Sequence, residues 1–553
     1  MTPGPPASRA TLPAAGPAPP PARRRTERTG RAGLAASLAS VVLTFGVAVA
    51  GPSAMEPGLP GAAGRPPWSL GLHLPAGLAI GLAAAALAAG ATGLGLCLHA
   101  ARHGWAASPR LLLGAGLIAA AALALVPPFG SGDHLSYAAY GRMAVTRHDP
   151  YTTTPAMLAR LGDPVARAVP DWRHSPSVYG SVATGFQALA AQIGGRSARL
   201  TVFVLSLTGL AAFGGTGLLA HRLARGRRDR QARAALLWTA NPLLLQVLVA
   251  GGHVDSLAVC FAVAALALFC LSLNYAGRGT GFPGEALATA SPGNLLPAFL
   301  IAAGAGAAAG LAFAVKISLV LVLGGLVLAA ALAGSPRDAP ARCWRSFAVL
   351  AGGLVSGFAV TALASLAPWG WHALGPALRA GSYVSIGSPW RPVRSALRLV
   401  TGEAVAGDLV RAGAVALAVA LFALFARPLA ALARERRADH VTVAAASVFA
   451  VVFAWLVAWP YVLPWYDSLA WAFLAVLPWL PVPWAAVDWL VLARTTALAF
   501  GYLPARGIAL PIGLDWLRTV VRSGVTPVLL LAVAVVLVVV LRPWPSAGRS
   551  TGS

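Results

Sequence analysis

Charge is scarce in this chain. Only 11% of its 553 residues are Asp, Glu, Lys or Arg, and just 17 of them are acidic. A soluble globular domain carries about a quarter charged residues, so that class is excluded. Lysine is nearly absent. Lys316 is the only one, and all other fixed positive charge is arginine. Cysteine is rare too: Cys97, Cys260, Cys270 and Cys343 fall in or beside apolar runs, with neither metal-ligand spacing nor the density of a disulfide framework. They read as small buried hydrophobes. No Walker A sequence, dinucleotide-binding glycine loop or G-x-S-x-G elbow is present. The glycines of "GAGAAAG" at 304–310 sit in an apolar run with no strand before them, which predicts helix packing and not phosphate binding.

What the chain has instead is apolar length. It is 58% hydrophobic, with a mean hydropathy of +0.72. A membrane-crossing helix needs about 20 mostly apolar residues. Fourteen stretches approach that: 33–51, 75–99, 110–129, 199–220, 234–252, 254–273, 295–315, 317–334, 346–367, 408–427, 440–458, 468–483, 485–504 and 524–541. The reading is an all-α polytopic membrane protein with one membrane domain over 33–541. The Pro-, Ala- and Arg-rich segment 1–32 reads as a disordered cytoplasmic tail, and 542–553 as a second, short tail.

A formal charge of +25 could indicate nucleic acid. Its distribution argues against that, because the arginines cluster in short segments between apolar runs, such as "HRLARGRRDRQAR" and "ARPLAALARERRADH". Such clusters orient membrane proteins with the basic side in the cytoplasm. Both termini are then expected inside. The alternate segments, which carry most of the Trp, Tyr, His and Asp, are expected outside. The largest of these is 130–198, where 181–193 reads as an amphipathic helix.

Chemistry concentrates on that outer side. Asp133 follows an apolar run by a few residues and could serve as a general base; capping the helix that starts near Leu135 is the alternative. Tyr137 and Tyr140 would share a face of that helix. Asp149 precedes a proline in "HDPY", where an Asx turn competes with a functional role, and Tyr151 follows. Arg173 and His174 in "DWRHSPSVYG" could bind an anion, and Tyr179 could stack on a sugar ring. Asn241 and Gln246 lie within an apolar run, and His253 and Asp255 sit where two runs meet. Lys316, between two apolar runs, must find an anion or extend to lipid headgroups. For many of the aromatic rings, such as those of "WPYVLPWYD" at 459–467, membrane-interface anchoring is the competing reading. A transporter would place its polar residues nearer the bilayer midplane in matched halves, and no repeat is visible.

In order, "GDHLSYAAYGRM…HDPY", "DW…SPSVYG", "NPLLL…GGHVDS" and "AVKIS" resemble the actinobacterial polyprenol-phosphomannose-dependent α-1,6-mannosyltransferases, the MptA/MptB group of the GT-C superfamily. The likeness runs over roughly 110–470. It implies a GT-C type multi-pass enzyme of the plasma membrane acting on its extracytoplasmic side. The donor would be mannose on a polyprenyl phosphate, and the acceptor a mannan or glycolipid. Asp133 would take the position of the essential acid in the first large outer loop, deprotonating the acceptor hydroxyl as it attacks with inversion. His134, Tyr137, Asp149, Tyr151, Arg173, His174, Tyr179, His253, Asp255 and Lys316 are the expected substrate-binding set, with Arg173, His174 and Lys316 toward the departing phosphate. No cofactor is expected, and a metal held by Asp133, Asp149 and Asp255 is the minor alternative. Two departures mark this chain: Ser181 stands where the family has proline after "YG", and His134 beside the acid. Donors carrying arabinofuranose or glucose, or a flippase of lipid-linked saccharides, are the competing readings.

Overall fold

The computed structural model describes residues 21–62, 64–276, 292–333, 340–435, 439–504, 510–511 and 513–542. Among these residues the regular structure is entirely helical. The order begins α1 (Pro21–Ala50), α2 (Ala76–Arg102), α3 (Pro109–Ala124) and α4 (Asp133–Val145). Two short helices, α5 (Pro155–Arg160) and α6 (Pro164–Arg167), precede α7 (Ser181–Gly194) and α8 (Ala198–Leu223). Then come α9 (Arg228–Leu237), α10 (Pro242–Leu244), α11 (Asp255–Ala276), α12 (Pro292–Val315), α13 (Val320–Ala333) and α14 (Pro340–Leu366). The chain ends with α15 (Gly375–Ala380), α16 (Trp390–Thr401), α17 (Glu403–Arg434), α18 (His440–Ala458), α19 (Ser468–Val476), α20 (Trp484–Gly501) and α21 (Thr526–Leu541).

All fourteen expected apolar segments fall on helix. Ten helical stretches among the described residues are long and apolar enough to cross a membrane, and Pro109–Ala124 and Ile317–Ala333 are shorter apolar helices. The remaining two fall short for visible reasons. The 468–483 segment is helical only to Val476, because Pro478, Pro481 and Pro483 follow. The 485–504 segment is a helix of 18 residues that carries Asp488 and Arg494 inside it. The 234–252 segment is broken at Asn241-Pro242. There the Asn241 amide oxygen accepts from Leu243 and Leu244 N–H at 3.1 and 3.3 Å, so Asn241 is a helix cap and not a site residue.

The expected tail needs correction where it is described. Helix α1 begins at Pro21, twelve residues before the predicted start, with its proline in the first turn where a missing N–H costs nothing. Residues 1–20 and 543–553 lie outside the described residues, as does the side chain of Cys343. Cys97 and Cys270 are buried and Cys260 half-buried, as small hydrophobes. The helix expected at 181–193 forms as α7 and packs on α4. A Cβ at Gly141 would stand 2.0 Å from the Gln187 carbonyl oxygen, so only glycine allows that approach. In the "GAGAAAG" run, Gly306 and Gly310 lie against the backbone of α14, as packing glycines should.

The two ends of the bundle differ. At one end, Arg233 grips Asp488 through two bonds of 2.8 and 2.6 Å, Arg102 joins the same carboxylate, and both guanidinium groups lie over the Trp479 ring. Arg230 pairs with Asp439 nearby and donates to Thr442 Oγ1 at 3.1 Å. Arg230 and Arg233, read as orienting loop charges, are buried structural ones. The other end holds a chamber.

Candidate active site

The chamber is built by helix ends. Apolar α3 stops at Ala124, and Pro127-Pro128 prevents it from continuing. Gly130 turns the chain at φ +81°, and its N–H donates to the Met55 carbonyl at 2.6 Å. Helix α4 then opens at Asp133. Its N-cap is Gly132, which makes no side-chain cap. Asp133 occupies the first helical position, and its backbone N–H donates to Ser131 Oγ at 3.0 Å. The helix-cap alternative is thereby removed, since the Asp133 carboxylate does not cap α4.

A second helix end brings the cation. Helix α12 stops at Val315, and Lys316 is extended at φ −149°, ψ 119°. Its Nζ donates to Asp255 Oδ1 at 2.6 Å and stands 3.3 Å from the centre of the Tyr466 ring. It therefore does not extend to lipid headgroups. Gly180 N–H donates to the Val315 carbonyl at 3.0 Å, and a Cβ on Gly180 would lie 2.2 Å from the Ala314 oxygen. This close approach sets Tyr179 beside Lys316. Tyr179 Oη meets Tyr137 Oη at 3.2 Å, which ties α4 to the same wall.

Asp133 and Lys316 line one cavity of about 460 Å³. Tyr137, Tyr140 and Tyr179 share its lining. His253 and Asp255 stand directly behind it. The His253 ring stacks on Trp465, with centroids 3.5 Å apart, and its Nδ1 lies 3.6 Å from Asp133 Oδ2. Burial pushes the Asp133 carboxyl up to about 7; Asp255 and Asp171 add to the rise, while Ser131 and Lys316 oppose it. Burial also holds the His253 imidazole well below its ordinary value, so it stays neutral. A carboxyl poised near neutrality, open to a chamber and facing a lysine, can accept a proton from a bound hydroxyl while the cation meets an anion.

Other expected site residues lie elsewhere. Arg173 and His174 are exposed and outside the chamber lining, while their neighbours Trp172 and Ser175 contribute to it. Asp149 forms the Asx turn, accepting from Tyr151 N–H at 2.8 Å, and pairs with His372 at 2.6 Å. It does not join Asp133 and Asp255. Tyr151 is buried, bonded to Thr184 at 2.9 Å and packed on Trp369. His134 is buried in α4 beside Gly252, outside the chamber lining. Among the described residues no group of three or more His, Cys, Asp or Glu side chains is placed to hold a metal ion.

Several lining residues were not singled out in the sequence. Trp465 and Tyr466 come from the turn Pro464–Asp467, and Trp459 and Tyr461 from the segment before it. Tyr383 lies parallel to Trp172 with centroids 6.4 Å apart. Behind the turn, buried Asp467 pairs with buried Arg494 and accepts from Thr495 Oγ1 at 2.8 Å. The signal was present as "WPYVLPWYD", whose rings read equally well as interface anchors.

The family model for alpha-(1->6)-mannopyranosyltransferase, N-terminal domain, matches residues 31–332, more than half of the chain. Alpha-(1->6)-mannopyranosyltransferase B of Corynebacterium glutamicum is 28% identical over 399 residues, covering 71% of this chain and 62% of the relative. A probable alpha-(1->6)-mannopyranosyltransferase of Mycolicibacterium smegmatis is 33% identical over 139 residues, 24% of each chain. The chain thus spans less than two thirds of the length of either relative. No solved structure matches it significantly.

Proposed function

This chain belongs to the MptA/MptB family of alpha-(1->6)-mannopyranosyltransferases, and on that premise we propose that it transfers mannose from a polyprenyl-phosphate donor to a hydroxyl of a mannan or glycolipid acceptor. The observation that carries the proposal is the shared chamber: Asp133 and Lys316, far apart in sequence, line one cavity walled by aromatic rings.

In this scheme the acceptor 6-hydroxyl lies against Asp133. Its oxygen attacks the anomeric carbon of the mannose, and its proton passes to the Asp133 carboxylate. The bond from the anomeric carbon to phosphate oxygen breaks, and the electron pair leaves with the polyprenyl phosphate. One displacement inverts a β-linked donor to an α-linked product. Negative charge grows on the phosphate as it departs, and the cation at Lys316 lowers the energy of that charge. His253, neutral and 3.6 Å from Asp133, stands beside the base without competing for its proton. The tyrosine and tryptophan faces suit the apolar face of a sugar ring. Every proton and charge in the scheme is handled by a side chain, and no cofactor is invoked.

The Arg-rich segments at the end of the bundle opposite the chamber support an extracytoplasmic chamber and cytoplasmic termini in the plasma membrane. Incubating membranes that carry the protein with labelled polyprenyl-phosphate sugars tests the reading. Label should enter acceptor from the mannose donor. Incorporation from an arabinofuranose or glucose donor alone would overturn the choice of sugar, and movement of the intact lipid-linked sugar without glycosidic bond formation would overturn the transferase.

A further inference from the structure

Of the described residues that line the chamber, two are cationic, Lys316 and Arg411. They are not equally available. Lys316 is half enclosed between the Asp255 carboxylate at 2.6 Å and the Tyr466 ring at 3.3 Å, so its charge is largely balanced before any ligand arrives. Among the described residues Arg411 pairs with Asp408, one turn earlier on the same helix, at 3.5 Å, and the two side chains are 47% and 73% exposed. An exposed pair of this kind contributes little and is readily exchanged for a better anion. Arginine, with its planar fork of donors, also suits a phosphate better than lysine does.

The position of Arg411 is as telling as its charge. It stands on α17 amid apolar residues, and the lining it shares also includes Trp455, Trp459 and Leu378. Close by, α16 carries Arg391, Arg394 and Arg398 on a strongly amphipathic helix without a single buried residue. Such a helix lies in the headgroup layer of a bilayer. It is pinned there by Trp390, whose Nε1 donates to the Ala458 carbonyl at 2.7 Å and whose ring lies against Gly413 of α17, two residues from Arg411. Arg411 therefore stands at headgroup depth on the bilayer side of the chamber. A lipid phosphate lies at that depth when its hydrocarbon tail remains in the membrane.

We infer that Arg411 is the docking residue for the phosphate of a lipid-linked anion entering the chamber sideways from the bilayer. Lys316 stays paired with Asp255, deeper in, and acts on the phosphate only during transfer. The inference rests on the proposed transferase function and divides the work between two cations: Arg411 sets affinity and Lys316 sets turnover.

The test uses the full-length protein in vesicles, as wild type, Arg411→Gln, Arg411→Lys and Lys316→Gln. Two readouts are needed: steady-state transfer from polyprenyl-phosphate mannose, and competition by sugar-free polyprenyl phosphate, by neutral polyprenol and by phosphatidylglycerol. Arg411→Gln should raise KM for the donor at least tenfold, leave kcat within about twofold and abolish competition by polyprenyl phosphate. Arg411→Lys should recover most of the loss, and Lys316→Gln should lower kcat chiefly. An unchanged KM in Arg411→Gln, with the wild type still bound by polyprenyl phosphate, overturns the assignment alone. Equal competition by phosphatidylglycerol and polyprenyl phosphate overturns it too, since Arg411 would then hold any lipid headgroup. A wild type that neither transfers mannose nor binds polyprenyl phosphate overturns the transferase reading, and this inference with it.

Discussion

The two ends of the bundle both bury charge, and they treat it in opposite ways. Around Asp488 the carboxylate is fully engaged: two guanidinium groups meet it, further N–H groups reach the Leu480 and Leu474 carbonyls, and Trp479 covers the assembly. Around Asp133 the matching is incomplete. Lys316 is taken by Asp255, and the Asp133 carboxylate faces a chamber, with His253 beyond ordinary hydrogen-bond distance at 3.6 Å. A carboxylate bonded on every side holds helices together. A carboxylate left open to a cavity is free to meet a ligand, and that is what the proposed function uses. The difference teaches that burial of charge by itself does not single out a candidate site; an open partner beside a cavity does.

Substitutions at the two ends should separate these roles. Asp133→Asn should cut turnover by about 10²–10⁴-fold, the usual contribution of a general base. Its thermal unfolding midpoint should stay at or above that of the wild type, because a poorly matched buried carboxylate is removed. Loss of folding with loss of activity would place Asp133 in the same class as Asp488. Asp488→Asn should do the reverse. It leaves two guanidinium groups without their carboxylate and should cost about 3–5 kcal/mol of stability, measurable by denaturant titration in detergent, while protein that remains folded turns over normally.

Smaller effects sharpen the contrast further. Tyr466→Leu removes the ring under Lys316 but leaves the bond to Asp255. A partly desolvated cation–π contact contributes about 1 kcal/mol, so kcat should fall about fivefold with little change in expression or unfolding. The smallest effect is expected at His372→Ala. Its pair with Asp149 is well exposed, and exposed pairs contribute about 0–1 kcal/mol. Transfer assays on that variant should match the wild type, whereas a large loss would return Asp149 to the site.

Much of this could be read from the residues in order, and what could not has a common physical cause. Apolar length marked all ten helical stretches long enough to cross a membrane among the described residues, since a bilayer demands it, and overreached at 468–483 and 485–504. Asp133, His253, Asp255 and Lys316 were visible because each ionisable group stands at the mouth of an apolar run, where it needs a reason to be. That Arg173 and His174 lie outside the chamber lining could not be read, because a non-helical turn has no period and Trp172, which does line it, cannot be told from its neighbours. Arg230 and Arg233 looked like orienting loop charges because their carboxylates, Asp439 and Asp488, arrive more than two hundred residues later. Arg411 was hidden inside an apolar run, and nothing local says that its side of α17 borders a cavity. Spacing reports helix faces, but partners brought together from distant segments are visible only after folding.

The central claim is that the open carboxylate is the base, and the pH dependence of single-turnover transfer tests it most directly. Only the ionised form of Asp133 accepts a proton, and burial pushes its carboxyl up to about 7. The ionised fraction therefore falls about tenfold per pH unit below that point. Mannose transfer by the wild type should rise about tenfold per unit up to pH 7 and then level, and the residual rate of Asp133→Asn should lack that limb. A wild-type rate that is flat from pH 5.5 to 8.5, or the same limb persisting in Asp133→Asn, would contradict the account.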